Sequence, residues 1–167
     1  MKSLAVLLYL CATSWADAKV KLPALISDGM VLQREQSVKV WGTADAGENI
    51  TIEFQKKSYH ATADANGQWS ITLPPLKAGG PFLMQINDIK LNDILVGDVW
   101  LCSGQSNMEL PVKRVMDMFS NEILNYNNEK IRHILIPQKY NFHAPQEEIS
   151  ATSWKTLTQK NVMEFSA

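Results

Sequence analysis

Val96-Gly97-Asp98-Val99-Trp100-Leu101-Cys102-Ser103-Gly104-Gln105-Ser106-Asn107-Met108 is the stretch on which the fold of this chain turns. An apolar, β-prone run passes abruptly into a small polar turn, and a serine stands inside that turn. A buried strand presents a nucleophile in this way: the strand anchors the backbone in a core and the turn exposes the hydroxyl. The pattern predicts a strand in which Trp100 and Leu101 are buried, with Cys102 a small buried residue at its end.

Upstream, residues 38–93 alternate with strand periodicity. Val38, Val40 and Gly42 are separated by Lys39 and Trp41; Ile50, Ile52 and Phe54 by Thr51 and Glu53; Tyr59, Ala61 and Ala63 by His60 and Thr62. Trp69, Ile71 and Leu73 are separated by Ser70 and Thr72, and Phe82, Met84 and Ile86 by Leu83 and Gln85. Period-two alternation marks half-buried strands. Ala46-Gly47, Lys56-Lys57-Ser58, Asn66-Gly67 and the run 77–81 supply turns between them, and Asn66-Gly67 is a hairpin signal because both residues tolerate positive φ. Short strands at this spacing predict an antiparallel β-sandwich-like domain over residues 19–93.

Downstream of Met108 the texture changes. Val115, Met118, Phe119, Ile123 and Leu124 recur at helical spacing within 112–126, residues 131–136 read as a strand stopped by Pro137, and 141–153 read as loop. A short element around Trp154 and the opening of a helix over 161–167 follow. Strand, helix, strand, helix is the beginning of an α/β layer sandwich, so residues 94–167 are expected to be an incomplete second domain. The expected class is therefore mixed α+β.

A serine hydroxyl at its ordinary pKa is a poor nucleophile; it needs a base and donors for the oxyanion formed on attack at an ester carbonyl. Ser106 stands where a strand hands over to a helix, so its own backbone N–H and the Asn107 amide are oxyanion-hole candidates. Gly104-Gln105-Ser106 fits the first half of the G-x-S-x-G elbow of α/β-hydrolases, but Met108 takes the second glycine's place, which argues against that fold. Ser103 is the rival nucleophile. The same turn also reads as a loop or cap whose serine satisfies a backbone N–H. For the base, three histidines are available: His60, expected to face solvent in the β-domain, His133 in a strand, and His143 in a loop. Each fits a structural or surface role. Cys102 carries no histidine beside it in sequence and is not expected to act as a thiol nucleophile.

The 167 residues are 46% hydrophobic and 20% charged, as in a globular protein, and the net charge of −1 gives no reason to expect nucleic acid or an anionic membrane as partner. Residues 1–18 read as a secretory signal: Lys2, a short apolar run over 4–10, and the small-x-small site Ala16-Asp17-Ala18, with Lys19 as the mature N-terminus. A lipoprotein reading around Cys11 is opposed by the bulk of Tyr9 and Leu10. The run is too short to cross a bilayer, which takes about 20 residues. The mature chain keeps only Cys102, so no internal disulfide forms. Asp28, Asp45, Asp64 and Asp88 are scattered among turns, and neither a metal site, a P-loop nor a dinucleotide fingerprint occurs; no cofactor is expected. Asn49-Ile50-Thr51 is a glycosylation sequon where the host glycosylates secreted proteins.

The string Gly104-Gln105-Ser106-Asn107-Met108 resembles the first signature block of the SGNH-type carbohydrate esterases, in particular the sialate O-acetylesterase family. The likeness extends to residues 22–33, with the core Asp28-Gly29-Met30-Val31-Leu32-Gln33, to Asn66-Gly67-Gln68-Trp69, and to Trp154 and Phe165-Ser166-Ala167. The resemblance implies Ser106 as catalytic nucleophile, an α/β/α three-layer domain of which this chain holds the start, and an O-acetylated sugar or glycan as substrate, notably sialic acid. It also implies a secreted or periplasmic location (lysosomal or extracellular in a eukaryote). In such esterases the base comes from an Asp-x-x-His block near the C-terminus, and no Asp-x-x-His string occurs here. Asn87-Asp88 and Asn92-Asp93 precede the nucleophile among the β-strands and do not serve as the family's later blocks. A non-catalytic carbohydrate-binding β-sandwich with a remnant esterase segment is the alternative, and an exposed row of Trp41, Tyr59 and Trp69 on one β-face would favour it.

Overall fold

The computed structural model describes residues 20–125, 127–137, 140, 142–144, 149 and 153–165. The expected signal, its cleavage site, Cys11 and Lys19 lie outside them. Seven strands occupy the first part: β1 (Val31–Gln33), β2 (Val38–Thr43), β3 (Asn49–Phe54), β4 (Lys57–Thr62), β5 (Gln68–Leu73), β6 (Gly79–Ile86) and β7 (Ile89–Gly97). Five form one sheet in the order β1-β7-β6-β3-β4, and β2 pairs with β5 in a second.

The alternation seen in the sequence is the alternation of burial. Ile50, Ile52 and Phe54 of β3 and Trp69, Ile71 and Leu73 of β5 all point into one core, joined there by Val40, Met84, Ile86, Leu91, Ile94 and Val96. Phe54, Met30, Ile50, Ile52, Leu73, Met84, Ile86, Ile94 and Val40 are essentially sealed from water, and burial of each such side chain contributes about 2 kcal/mol. β3 and β4 close on a two-residue loop, Phe54 opposite Lys57, with Gln55 and Lys56 both at positive φ. That backbone matches the right-handed twist of the strands it joins.

Two expectations for this part are corrected. Asn66-Gly67 does not close a hairpin. β4 and β5 lie in different sheets, and the turn carries the chain between them. Asp64 organises it by accepting the N–H groups of Asn66 and Gln68 on Oδ1, the local mimicry of a backbone turn for which Asp is suited. Nor is the large sheet wholly antiparallel: β1 runs parallel to β7, Val31 opposite Leu95 and Gln33 opposite Gly97. β7 also runs across the expected boundary at 93/94 and ends at Gly97.

Beyond Gly97 the predicted strand stops. Trp100 and Leu101 are 84% and 90% exposed, and Cys102 is exposed as well. The apolar pattern of 96–102 divides because its first residues complete the five-stranded sheet, while the remainder pairs with none of the three sheets formed by the described residues. The helix expected over 112–126 is instead two three-residue 3-10 turns, Val112–Arg114 and Met116–Met118, followed by α1 (Ser120–Asn125). The strand expected over 131–136 lies three residues earlier, as β8 (Asn128–His133), and pairs antiparallel with β9 (Lys155–Leu157). The expected helix over 161–167 is a 3-10 turn, Val162–Glu164, among the described residues. So the described part after residue 97 shows an antiparallel pair and short turns where strand-and-helix layering was predicted. Ile123, Leu157 and Val162 form its small core, flanked by Val112, Met116, Ile131, Met163 and Phe165.

Candidate functional site

The serine turn hangs from the end of β7, and its root is tied to the end of β1. Gln33 accepts the Val99 N–H on Oε1 at 2.8 Å, and Arg34 donates from Nε to Asp98 Oδ1 at 2.8 Å. The Arg34 N–H donates to the Gly97 carbonyl at 2.9 Å. The hydrogen bond from Asp98, and then its charge, raise the Arg34 pKa above its already high ordinary value, so the cation persists at any working pH. From this root the backbone runs without regular structure through residues 98–105.

Ser106 is the first residue of a four-residue 3-10 turn, Ser106–Glu109, and is exposed. The Met108 N–H donates to the Gln105 carbonyl at 2.8 Å and draws the turn tight. Gly104 lies under the Met108 side chain: a Cβ built on it would stand 2.9 Å from Met108 Cγ. The small residue is therefore needed where this turn closes. Ser103 is exposed on the same segment. The side chain of Asn107, the second oxyanion-hole candidate, lies outside the described atoms. Chemically, the arrangement offers an accessible hydroxyl on a short turn with a fixed root.

The histidines do not complete it. Among the described residues none hydrogen-bonds to Ser106. His60 is exposed on β4, with its Nδ1 3.1 Å from Thr51 Oγ1. β4 lies three places from β7 in the sheet, which at ~4.8 Å per strand is about 14 Å from the strand that carries the serine turn. His133 lies in β8 and packs edge-on against Phe165, with ring centroids 5.1 Å apart. Its Nδ1 is buried with no hydrogen-bond partner. Burial first, then the Lys155 charge, lower its pKa, with Glu164 opposing. His143 is exposed.

Sequence reasoning missed a second constellation. Arg132, from β8, reaches Asp93 with both terminal nitrogens, Nη1 to Oδ2 at 2.8 Å and Nη2 to Oδ1 at 2.9 Å, and its Nη1 also donates to the Gly29 carbonyl at 3.2 Å. The side chain is 5% exposed. Trp154 donates from Nε1 to the Leu25 carbonyl at 3.0 Å. These contacts seat the β8–β9 pair on the sandwich. Gly29, at φ +75°, leaves the space they use: a Cβ there would stand 3.1 Å from Arg132 Nη1. Asp93, one of the Asn-Asp strings set aside as a catalytic block, has this structural task. In the other, Asn87 accepts the Thr51 N–H and donates to the Asn49 carbonyl.

Trp69 is buried, and Trp41 and Tyr59 pack against the core. The exposed aromatic row that would favour a carbohydrate-binding sandwich is therefore absent at these three positions. A cavity of about 350 Å³ is lined by Glu53, Gln55, Lys57, Leu83 and Gln85 at the β3–β4 hairpin, away from the serine turn. No group of acidic, histidine or cysteine residues suited to a metal ion occurs among the described residues, and no described helix is long and apolar enough to cross a membrane.

No family model matches the chain. Human sialate O-acetylesterase is 33% identical over 122 residues, covering 62% of this chain and 23% of that protein. The mouse sialate O-acetylesterase is 32% identical over 112 residues, covering 58% and 21%. The chain thus spans less than a quarter of the length of the curated relatives it matches. The crystal structure of a carbohydrate acetylesterase from Xanthomonas citri superimposes with a TM-score of 0.82 at 37% identity, covering 89% of this chain and 35% of that one.

Proposed function

We propose that this chain, which belongs to the sialate O-acetylesterase family, carries the nucleophile of a secreted serine esterase that removes O-acetyl groups from sugars, sialic acids foremost. The observation that supports this most directly is the exposed Ser106 at the head of a tight turn whose root is pinned to β1. The names of the relatives supply the substrate class; the hydroxyl supplies the chemistry.

In this reaction Ser106 Oγ attacks the acetyl carbonyl carbon, and its proton passes to a base. The tetrahedral oxyanion is held by backbone N–H donors, with those of Ser106 and Asn107 the candidates here. Collapse expels the sugar hydroxyl, which takes up the proton, and leaves acetyl-Ser106. Water then attacks that ester and releases acetate, restoring the serine. The base is to be sought outside the described residues, since no described histidine engages Ser106.

The test is Ser106→Ala in the polypeptide that includes the base. Turnover of an acetyl ester should fall by about 10⁴ or more, while Ser103→Ala lowers it only modestly. Near-normal rates in the Ser106 variant would place the nucleophile elsewhere.

A further inference from the structure

The segment Asp28-Gly29-Met30-Val31-Leu32-Gln33 stood out in the sequence, yet no step of the ester chemistry uses it. In the structure its residues face three separate partners. Asp28 Oδ1 accepts the Asn92 N–H at 2.6 Å, ahead of the point where β1 joins β7. Gly29 offers its carbonyl to Arg132 and, lacking a Cβ, leaves room for Arg132 and Trp154. Met30 is sealed in the sandwich core, and its carbonyl accepts the Leu95 N–H at 3.0 Å. Gln33 then reaches past the end of β7 to the Val99 N–H, and its Nε2 donates to the Arg34 carbonyl at 3.2 Å, which fixes the orientation of the amide.

We propose that residues 28–33 are the joint that fixes the serine turn to the β-sandwich, with Gln33 as a positioning residue for Ser106. This rests on Ser106 being the nucleophile. The geometry requires it in one respect: β7 ends at Gly97 and regular structure resumes only at Ser106. Over the eight residues between, the side-chain hydrogen bonds that tie the root of the turn to other described residues are the Val99 N–H donated to Gln33 and the Arg34 Nε–H donated to Asp98. A nucleophile must be held to a fraction of an ångström for attack, so slack at the root is transmitted to the hydroxyl. The sandwich is accordingly part of the catalytic framework, and excising it would unseat the serine.

The test compares Gln33→Met, which keeps the shape and removes the accepting oxygen, with Gln33→Glu, which keeps that oxygen. Amide exchange on the whole chain should quicken about fivefold at residues 98–106 in the Met variant, the loss of one hydrogen bond, with β3 and β6 unchanged. The Glu variant, which keeps the acceptor but loses the Nε2 donor to the Arg34 carbonyl, should fall between the Met variant and the parent. In the polypeptide that includes the base, Gln33→Met should lower kcat for an acetyl ester several-fold at constant KM, and Gln33→Glu should recover part of that loss. Unchanged exchange at 98–106, an equal rise throughout the sandwich, or a Glu variant as impaired as the Met variant would each overturn the proposal. If Ser106→Ala retains turnover, the nucleophile assignment fails by itself, while the exchange pattern still decides the joint.

Discussion

Replacing Arg132 by methionine should loosen the β8–β9 pair from the sandwich by about 2 kcal/mol. The guanidinium is 5% exposed and holds both oxygens of Asp93, at 2.8 and 2.9 Å, as well as the Gly29 carbonyl. Breaking a fully buried pair costs about 3–5 kcal/mol and an exposed one about 0–1 kcal/mol. Asp93 is 50% exposed, so its carboxylate recovers water when the arginine leaves, and the cost falls between those limits. Methionine keeps most of the stem's packing and isolates the charge and its hydrogen bonds. Asp93→Asn is the matching change on the other side, because Asn tolerates the φ of 60° found there. Urea unfolding of the two single variants and the double should give a coupling of about 1 kcal/mol or more, and amide exchange should quicken first in β8. If the single effects add to within about 0.5 kcal/mol, Arg132 and Asp93 do not act as a pair and the docking has another cause.

Phe54→Ala, at a side chain 1% exposed, should cost about 3–5 kcal/mol by leaving a cavity in the sandwich core; a loss below about 1 kcal/mol by urea denaturation would mean that the core closes over it. His133 is held below its ordinary pKa of 6.5 chiefly by burial, so the folded state prefers the neutral ring. Its contribution to stability is full above 6.5 and is lost as pH falls through the lowered folded value. His133→Phe should flatten the dependence of the urea midpoint on pH below 6.5, and an unaltered slope would refute the assignment. The 167-residue chain, with no described histidine against Ser106, should not hydrolyse a chromogenic acetyl ester; hydrolysis lost on His143→Ala or His133→Ala would identify a local base. Secreted protein should begin at Lys19, and N-terminal sequencing that starts at Met1 would contradict a cleaved signal.

The β-strands were legible because they satisfy their own pattern. At Ile50, Ile52 and Phe54, and again at Trp69, Ile71 and Leu73, every second residue is buried, so local alternation and tertiary burial carry the same information. What alternation cannot state is which strand is the neighbour. β1 lies parallel to β7, and Asn66-Gly67 crosses between sheets, because both are settled by packing between residues distant in sequence. Arg132 and Asp93, 39 positions apart, were invisible for that reason; the only local trace was a glycine at 29 beside buried Met30.

After Gly97 the same inference fails, and the failure is physical. A helical or strand period records a face that is to be buried, and it becomes a long helix or a strand when something covers that face. Among Val115, Met118, Phe119 and Ile123, only Ile123 finds the small second core; Met118 is 76% exposed. With so little covering the face, helix propagation has little tertiary packing to support it, and the backbone falls into 3-10 turns and a six-residue helix. Trp100 and Leu101 obey the same rule. Their sequence is that of a buried strand, yet they stand in water, while Val96, one residue before β7 ends, is enclosed by the sandwich. The serine turn therefore takes its order from the five-stranded sheet, through Gln33 and Arg34.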